Sequence, residues 1–77
     1  MHTKFRRHQS VILLVDPNPD YVEYYTEDGS KPEIKKGMIG RINILLPNGQ
    51  YHVAIIDKNT NKTLAYVMLA EEDVEVV

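Results

Sequence analysis

The side chains with chemical potential in this chain are few, and their spacing is informative mainly for what it lacks. The histidines are His2, His8 and His52, and there is no cysteine. Two histidines sit near the start and one lies within an apolar run, so no pair has the spacing of a zinc-binding helix or turn. His52 alone reads as a half-buried strand residue with one satisfied hydrogen bond. Asp57, Glu71, Glu72 and Asp73 offer carboxylates. Asp57 opens a polar turn, where aspartate caps backbone amides. Glu71 to Asp73 suit the first turn of a short helix, whose dipole favours acids. No glycine-rich phosphate loop, nucleophile elbow or metalloprotease motif occurs. The expectation is a chain with no catalytic residues, no bound metal and no cofactor.

Tyr21, Tyr24 and Tyr25 are the best candidates for binding. They cluster beside Pro17 and Pro19. Tyrosine concentrates at the energetic centres of protein interfaces. The competing reading is that one or two of the rings cover the open end of a thin core, and a ring half in each role satisfies both. Arg41 could join such a surface. The alternative partner is nucleic acid, bound by Lys4, Arg6, Arg7, Lys35, Lys36 and Arg41 with the tyrosines as stacking platforms. Against it stand a formal net charge of −2 and the acids Asp16, Asp20, Glu23, Glu27 and Asp28 near the rings.

The elements that must position these residues read as strands. At 77 residues the chain is one domain, with a thin core and no disulfide to staple it. Met1–Gln9 is polar, basic and aperiodic, which predicts a flexible tail. Val11–Val15 is a short apolar run with β-branched residues, stopped by Asp16-Pro17-Asn18-Pro19-Asp20; this predicts a buried strand followed by an irregular loop. Residues 16–36 exceed the usual length of a structureless connection, so an arm is expected here, folded back by its tyrosines. Strands follow over 39–46, 51–56 and 64–69. They are separated by turns at Pro47-Asn48-Gly49 and Asp57–Asn61. A last strand covers Val74–Val77. Alternation places Ile42, Ile44 and Leu46 on one face, and the core is expected at Ile12, Leu14, Ile42, Ile44, Val53, Ile55, Leu64, Val67 and Val74.

The order is strand, long arm, strand, hairpin, strand, hairpin, strand, short acidic turn and last strand. With Lys36-Gly37-Met38-Ile39-Gly40-Arg41-Ile42 and Ala70-Glu71-Glu72-Asp73-Val74-Glu75-Val76, it resembles an SH3-like barrel. The pattern is similar to the variable chain of ferredoxin–thioredoxin reductase, the small stromal SH3-like subunit of photosystem I and the barrel of the nitrile hydratase β-subunit. The resemblance implies an all-β, five-stranded barrel over residues 10–77. It would carry a long arm after the first strand and a one-turn 3₁₀ helix before the last. It also implies a structural or docking role, with chemistry resident on a partner. There is no tryptophan, so the aromatic groove of a proline-peptide-binding SH3 domain is not expected. The lack of a long apolar run predicts a soluble, cytoplasmic chain with no membrane partner; the acidic balance argues against a nucleic-acid field, and the protein partner is what the resemblance and the tyrosines imply.

Overall fold

A computed structural model describes residues 5–26 and 28–77. His2, Lys4 and Glu27 therefore lie outside the described residues. Strands β1 (Ser10–Leu13), β2 (Val22–Tyr24), β3 (Ile39–Leu45), β4 (Tyr51–Ile56), β5 (Thr63–Leu69) and β6 (Val74–Val76) form one antiparallel sheet in the order β2-β5-β4-β3-β1-β6. Short 3₁₀ turns at Pro19–Tyr21 and Glu71–Asp73 precede β2 and β6. The chain is all-β, with no α-helix among the described residues and hence no helix long and apolar enough to cross a membrane.

Side-chain chemistry places the turns. Between β3 and β4, Asn48 accepts the Gln50 amide through its side chain, and Gly49 adopts a φ of 87°. Between β4 and β5, the Asp57 carboxylate accepts the Asn59 amide and Asn61 takes a φ of 59°, a conformation asparagine tolerates better than most residues. Before β6, the Asp73 carboxylate accepts the Ala70 amide at 3.1 Å while the Asp73 amide donates to the Ala70 carbonyl.

The core is one face of the sheet. Val11, Leu13, Ile42, Tyr51, Val53, Ile55, Ala65, Val67, Leu69 and Val74 are all buried. Among the described residues no α-helix or second sheet covers them, so the sheet must curl onto itself to exclude water. Phe5 and Ile34, each from a connecting segment, complete the same cluster. The Phe5 ring meets Tyr51 edge-on at 5.3 Å, and the Phe5 amide donates to the Tyr51 hydroxyl.

Several expectations need correction. The sheet has six strands and is not closed: β2 and β6 are its two edges. Two three-residue strands, each pinned by a 3₁₀ turn, do not meet to complete a ladder. The stretch 5–9, expected as tail, packs on the sheet: His8 donates its amide to Ile42, and Ile42 donates to Gln9. Val11 and Leu13 point inward in place of Ile12 and Leu14, because a continuous apolar run carries no alternation to fix its parity. Ile44 is 42 % exposed because a bulge between Ile42 and Ile44 shifts the register, so Leu45 turns toward the core instead. Leu64 is only half-buried at the core's margin. The expected arm does fold back, and its strand β2 pairs with β5 at the far edge of the sheet.

Candidate functional site

The face of the sheet opposite the core carries a band of aromatic and apolar groups. The register builds it. Arg41 pairs with Ala54, Ala54 with Tyr66 and Tyr66 with Glu23, which gives one row across four strands. The neighbouring row runs from Ile44 to His52 to Met68. His52 is thus the diagonal neighbour of Tyr66, within reach of a ring-to-ring contact. Their rings stack at 4.9 Å with 8° between planes. Tyr25 meets Tyr66 edge-on at 5.8 Å. On the other flank, Asn43 hydrogen-bonds the His52 Nδ1 at 2.8 Å. The result is a continuous strip, Tyr25–Tyr66–His52–Asn43, whose rings are fixed by one another before any ligand arrives.

Strand alternation divides the tyrosine cluster. Glu23 and Tyr25 share the outer face, while Val22 and Tyr24 point toward the core and pack against it; Tyr21, in the 3₁₀ turn before β2, reaches the outer face beside Met68. Tyr21 and Tyr25 are 67 % and 66 % exposed. Tyr21 borders a shallow hollow of about 200 Å³ with Met68 and Gln50. Met68 and Ile44, 45 % and 42 % exposed, add apolar surface to the same face. Arg41 lies there too, with its guanidinium donating to the Asn61 side chain at 3.1 Å. The structure therefore brings Tyr21, Tyr25 and Arg41 onto one face and puts Tyr24 on the other. Reading the sequence missed Tyr66 and Met68; His52 is the half-buried, hydrogen-bonded strand residue that was expected, but its stacking on Tyr66 was not foreseen. No local signal gave them: the Asp57–Asn61 turn leads to Ile56 opposite Thr63, and a bulge between Ile55 and Ile56 then sets Ala54 opposite Tyr66 and His52 opposite Met68.

The basic residues are scattered. Arg6 and Arg7 stand at one end of the sheet, beside the core residues Phe5, Ile42, Leu45 and Tyr51 and beside Ile44 of the outer face. Lys35 and Lys36 lie in the loop before β3. There Lys35 pairs with Glu33 at 3.5 Å and the Lys36 amide donates to Asp16. Four residues of chain separate Lys36 from Arg41, a span of at most about 17 Å. β1 and β6 are neighbours, and Lys35–Glu33 is the ion pair found among the described residues.

An open groove of about 570 Å³ separates Tyr25, Thr26, Asp28 and Ser30 from the Asp57–Leu64 turn. Its polar groups serve the loops that form it. Asp28 accepts the Ser30 amide, Asp57 accepts the Asn59 amide, and the Thr26 hydroxyl donates to the Ser30 carbonyl. The Ser30 backbone and side chain hold the Asp28 carboxyl below its ordinary value by hydrogen-bonding the charged form. Among the described residues, no three His, Asp or Glu side chains converge as a metal-binding set. Comparison with protein-family models, curated proteins and solved structures finds no match to this chain.

Proposed function

We propose that this chain is a non-catalytic docking module that binds a protein partner through the outer face of its sheet. The observation that carries this reading is the pre-arranged strip Tyr25–Tyr66–His52, flanked by the exposed side chains of Tyr21, Met68 and Ile44. Large rings that are already ordered lose little conformational freedom on binding, which suits them as interface anchors. In its order of strands and 3₁₀ turns the chain is similar to SH3-like barrels, and we take its curled sheet to be an open version of that architecture.

Nucleic acid is the second reading, because stacked rings on a sheet are also platforms for bases. The placement of charge disfavours it. Strand-binding surfaces need cations beside the rings to track phosphates, whereas Arg41 is the cation on this face and Glu23 shares its row. Lys35 and Lys36 stand elsewhere, and Arg6 and Arg7 line a hollow with the core side chains Phe5, Ile42, Leu45 and Tyr51 and meet this face at Ile44.

The test is a paired substitution. Tyr25→Ala with Tyr66→Ala should weaken partner binding by about 1–2 kcal/mol or more and leave the fold intact, since neither ring belongs to the core cluster. A double variant that folds and binds at full strength places the interface on another face. Binding that falls steeply between about 50 and 200 mM salt would favour the nucleic-acid reading.

A further inference from the structure

The outer face of the sheet is complementary to itself. The row Arg41–Ala54–Tyr66–Glu23 crosses β3, β4, β5 and β2 in that order. A cation stands at one end and an acid at the other, both exposed, with the small Ala54 beside the large Tyr66 in the middle. Three strand spacings separate Arg41 from Glu23, about 14 Å, so the two do not pair within one chain. Arg41 donates to the Asn61 side chain, and its guanidinium fork has further donors for a carboxylate.

Two sheets packed face to face keep their strands roughly aligned. A two-fold axis along the strands, between β4 and β5, sets each row against its own reverse. Arg41 then faces Glu23 of the second copy and Tyr66 faces its Ala54, and every contact occurs twice. The neighbouring row obeys the same operation. It runs Ile44–His52–Met68 and ends at Tyr21, which borders Met68. Reversed, it sets the Met68 sulfur against the His52 ring, a favourable contact, and Ile44 against Tyr21. A two-fold axis across the strands would instead oppose Arg41 to Arg41 and Glu23 to Glu23. Like charges repel, so the row's own charge selects the first arrangement. Curvature suits it as well. The sheet curls around the core, so its outer face is convex and two copies approach most closely along β4 and β5. Ala54 and Tyr66 stand there, while the long side chains of Arg41 and Glu23 stand on the flanking strands, where the gap widens.

We propose that the partner of the outer face is a second copy of this chain, held in a two-fold dimer by paired Arg41–Glu23 contacts around a Tyr66–Ala54 centre. This rests on the docking reading above and names its occupant. Four short strands offer a contact at the small end of specific interfaces, so the dimer is weak and depends on concentration.

Sedimentation velocity from about 10 µM to about 1 mM protein should show the mass rising from 8.9 kDa toward twice that value. Arg41→Glu and Glu23→Arg are the deciding variants. Each alone makes both charged contacts repulsive and should weaken self-association about tenfold or more. Mixed in equal amounts, the two variants form a heterodimer in which both contacts pair opposite charges again, and association should return to near the parent's strength. Isotope-filtered NOEs between labelled and unlabelled copies should link the Tyr66 ring to the Ala54 methyl and the His52 ring to the Met68 methyl. A chain that stays at 8.9 kDa up to about 1 mM overturns the proposal. So does a mixture of the variants that associates no more tightly than either alone, or a dimer whose intermolecular NOEs lie away from β4 and β5. A monomeric chain whose Tyr25 and Tyr66 positions crosslink to a different polypeptide overturns the self-pairing and leaves the docking face standing, whereas crosslinks confined to another face overturn both.

Discussion

Gly40→Ala should destabilise this protein, although glycine to alanine within a strand ordinarily helps. A Cβ built at Gly40 would lie 2.7 Å from Val53 Cγ1, 3.0 Å from the Ala54 carbonyl oxygen and 3.5 Å from Ile55 Cδ1. Val53 and Ile55 are both 0 % exposed. Val53 is β-branched and has few alternative rotamers in a packed core, and the Ala54 carbonyl is main chain that moves only with its strand. Forcing extra volume into such a site costs about 1–3 kcal/mol. Removing glycine's freedom in the unfolded chain returns about 0.4–1 kcal/mol. The net expectation is a loss of about 1–2 kcal/mol, or about 4–8 °C in Tm for each kcal/mol in a domain of this size. Urea unfolding monitored by circular dichroism reads it directly, as a lower midpoint with an unchanged slope. A Gly40→Ala variant as stable as the parent, or more so, would refute the close approach of β3 and β4 that organises the core.

Phe5→Ala should cost about 3–5 kcal/mol, as for a large aromatic core residue, and the same unfolding experiment would show almost no loss if residues 5–9 were a tail. Tyr24→Ala should lower stability while Tyr21→Ala leaves it nearly unchanged, because Tyr24 packs against the core and Tyr21 is exposed; equal effects would contradict the register of β2 on β5. The Asp28 carboxyl should titrate below an ordinary aspartate in a carbon-detected NMR titration. Its folded value is the lower one, so its contribution to stability is complete above the unfolded value. That contribution disappears as pH falls from the ordinary value through the folded one. A midpoint at or above the ordinary value would remove the Ser30 contacts from the description.

Much of the architecture was legible because turns announce themselves chemically. Asn48-Gly49, Asp57–Asn61 and Ala70–Asp73 located three of the strand junctions, and the β4 alternation of Tyr51, Val53 and Ile55 fixed the inner face. What was illegible depended on parity and distance. Val11–Leu14 is apolar at every position, so nothing local says which pair points inward. The bulge after Ile42 is invisible to a rule of strict alternation, and it moved Ile44 out and Leu45 in. Phe5 and Ile34 reach the core from segments whose composition is polar. Closure is a long-range property, and no residue in β2 or β6 encodes whether those strands meet. The candidate site was legible in half: Tyr21, Tyr25 and Arg41 stood out by type, whereas Tyr66 and His52 acquire meaning only when β4 and β5 are set in register.

The most direct test of the docking face is site-specific photocrosslinking in the native cell, with a photoreactive phenylalanine at Tyr25 or Tyr66 and a control at Lys58 in the β4–β5 turn. Adducts from both face positions to one and the same polypeptide, absent from the Lys58 control, are the expected result. Adducts that nuclease removes, or that form from Lys58 and from neither tyrosine position, would contradict a protein interface on the outer face of the sheet.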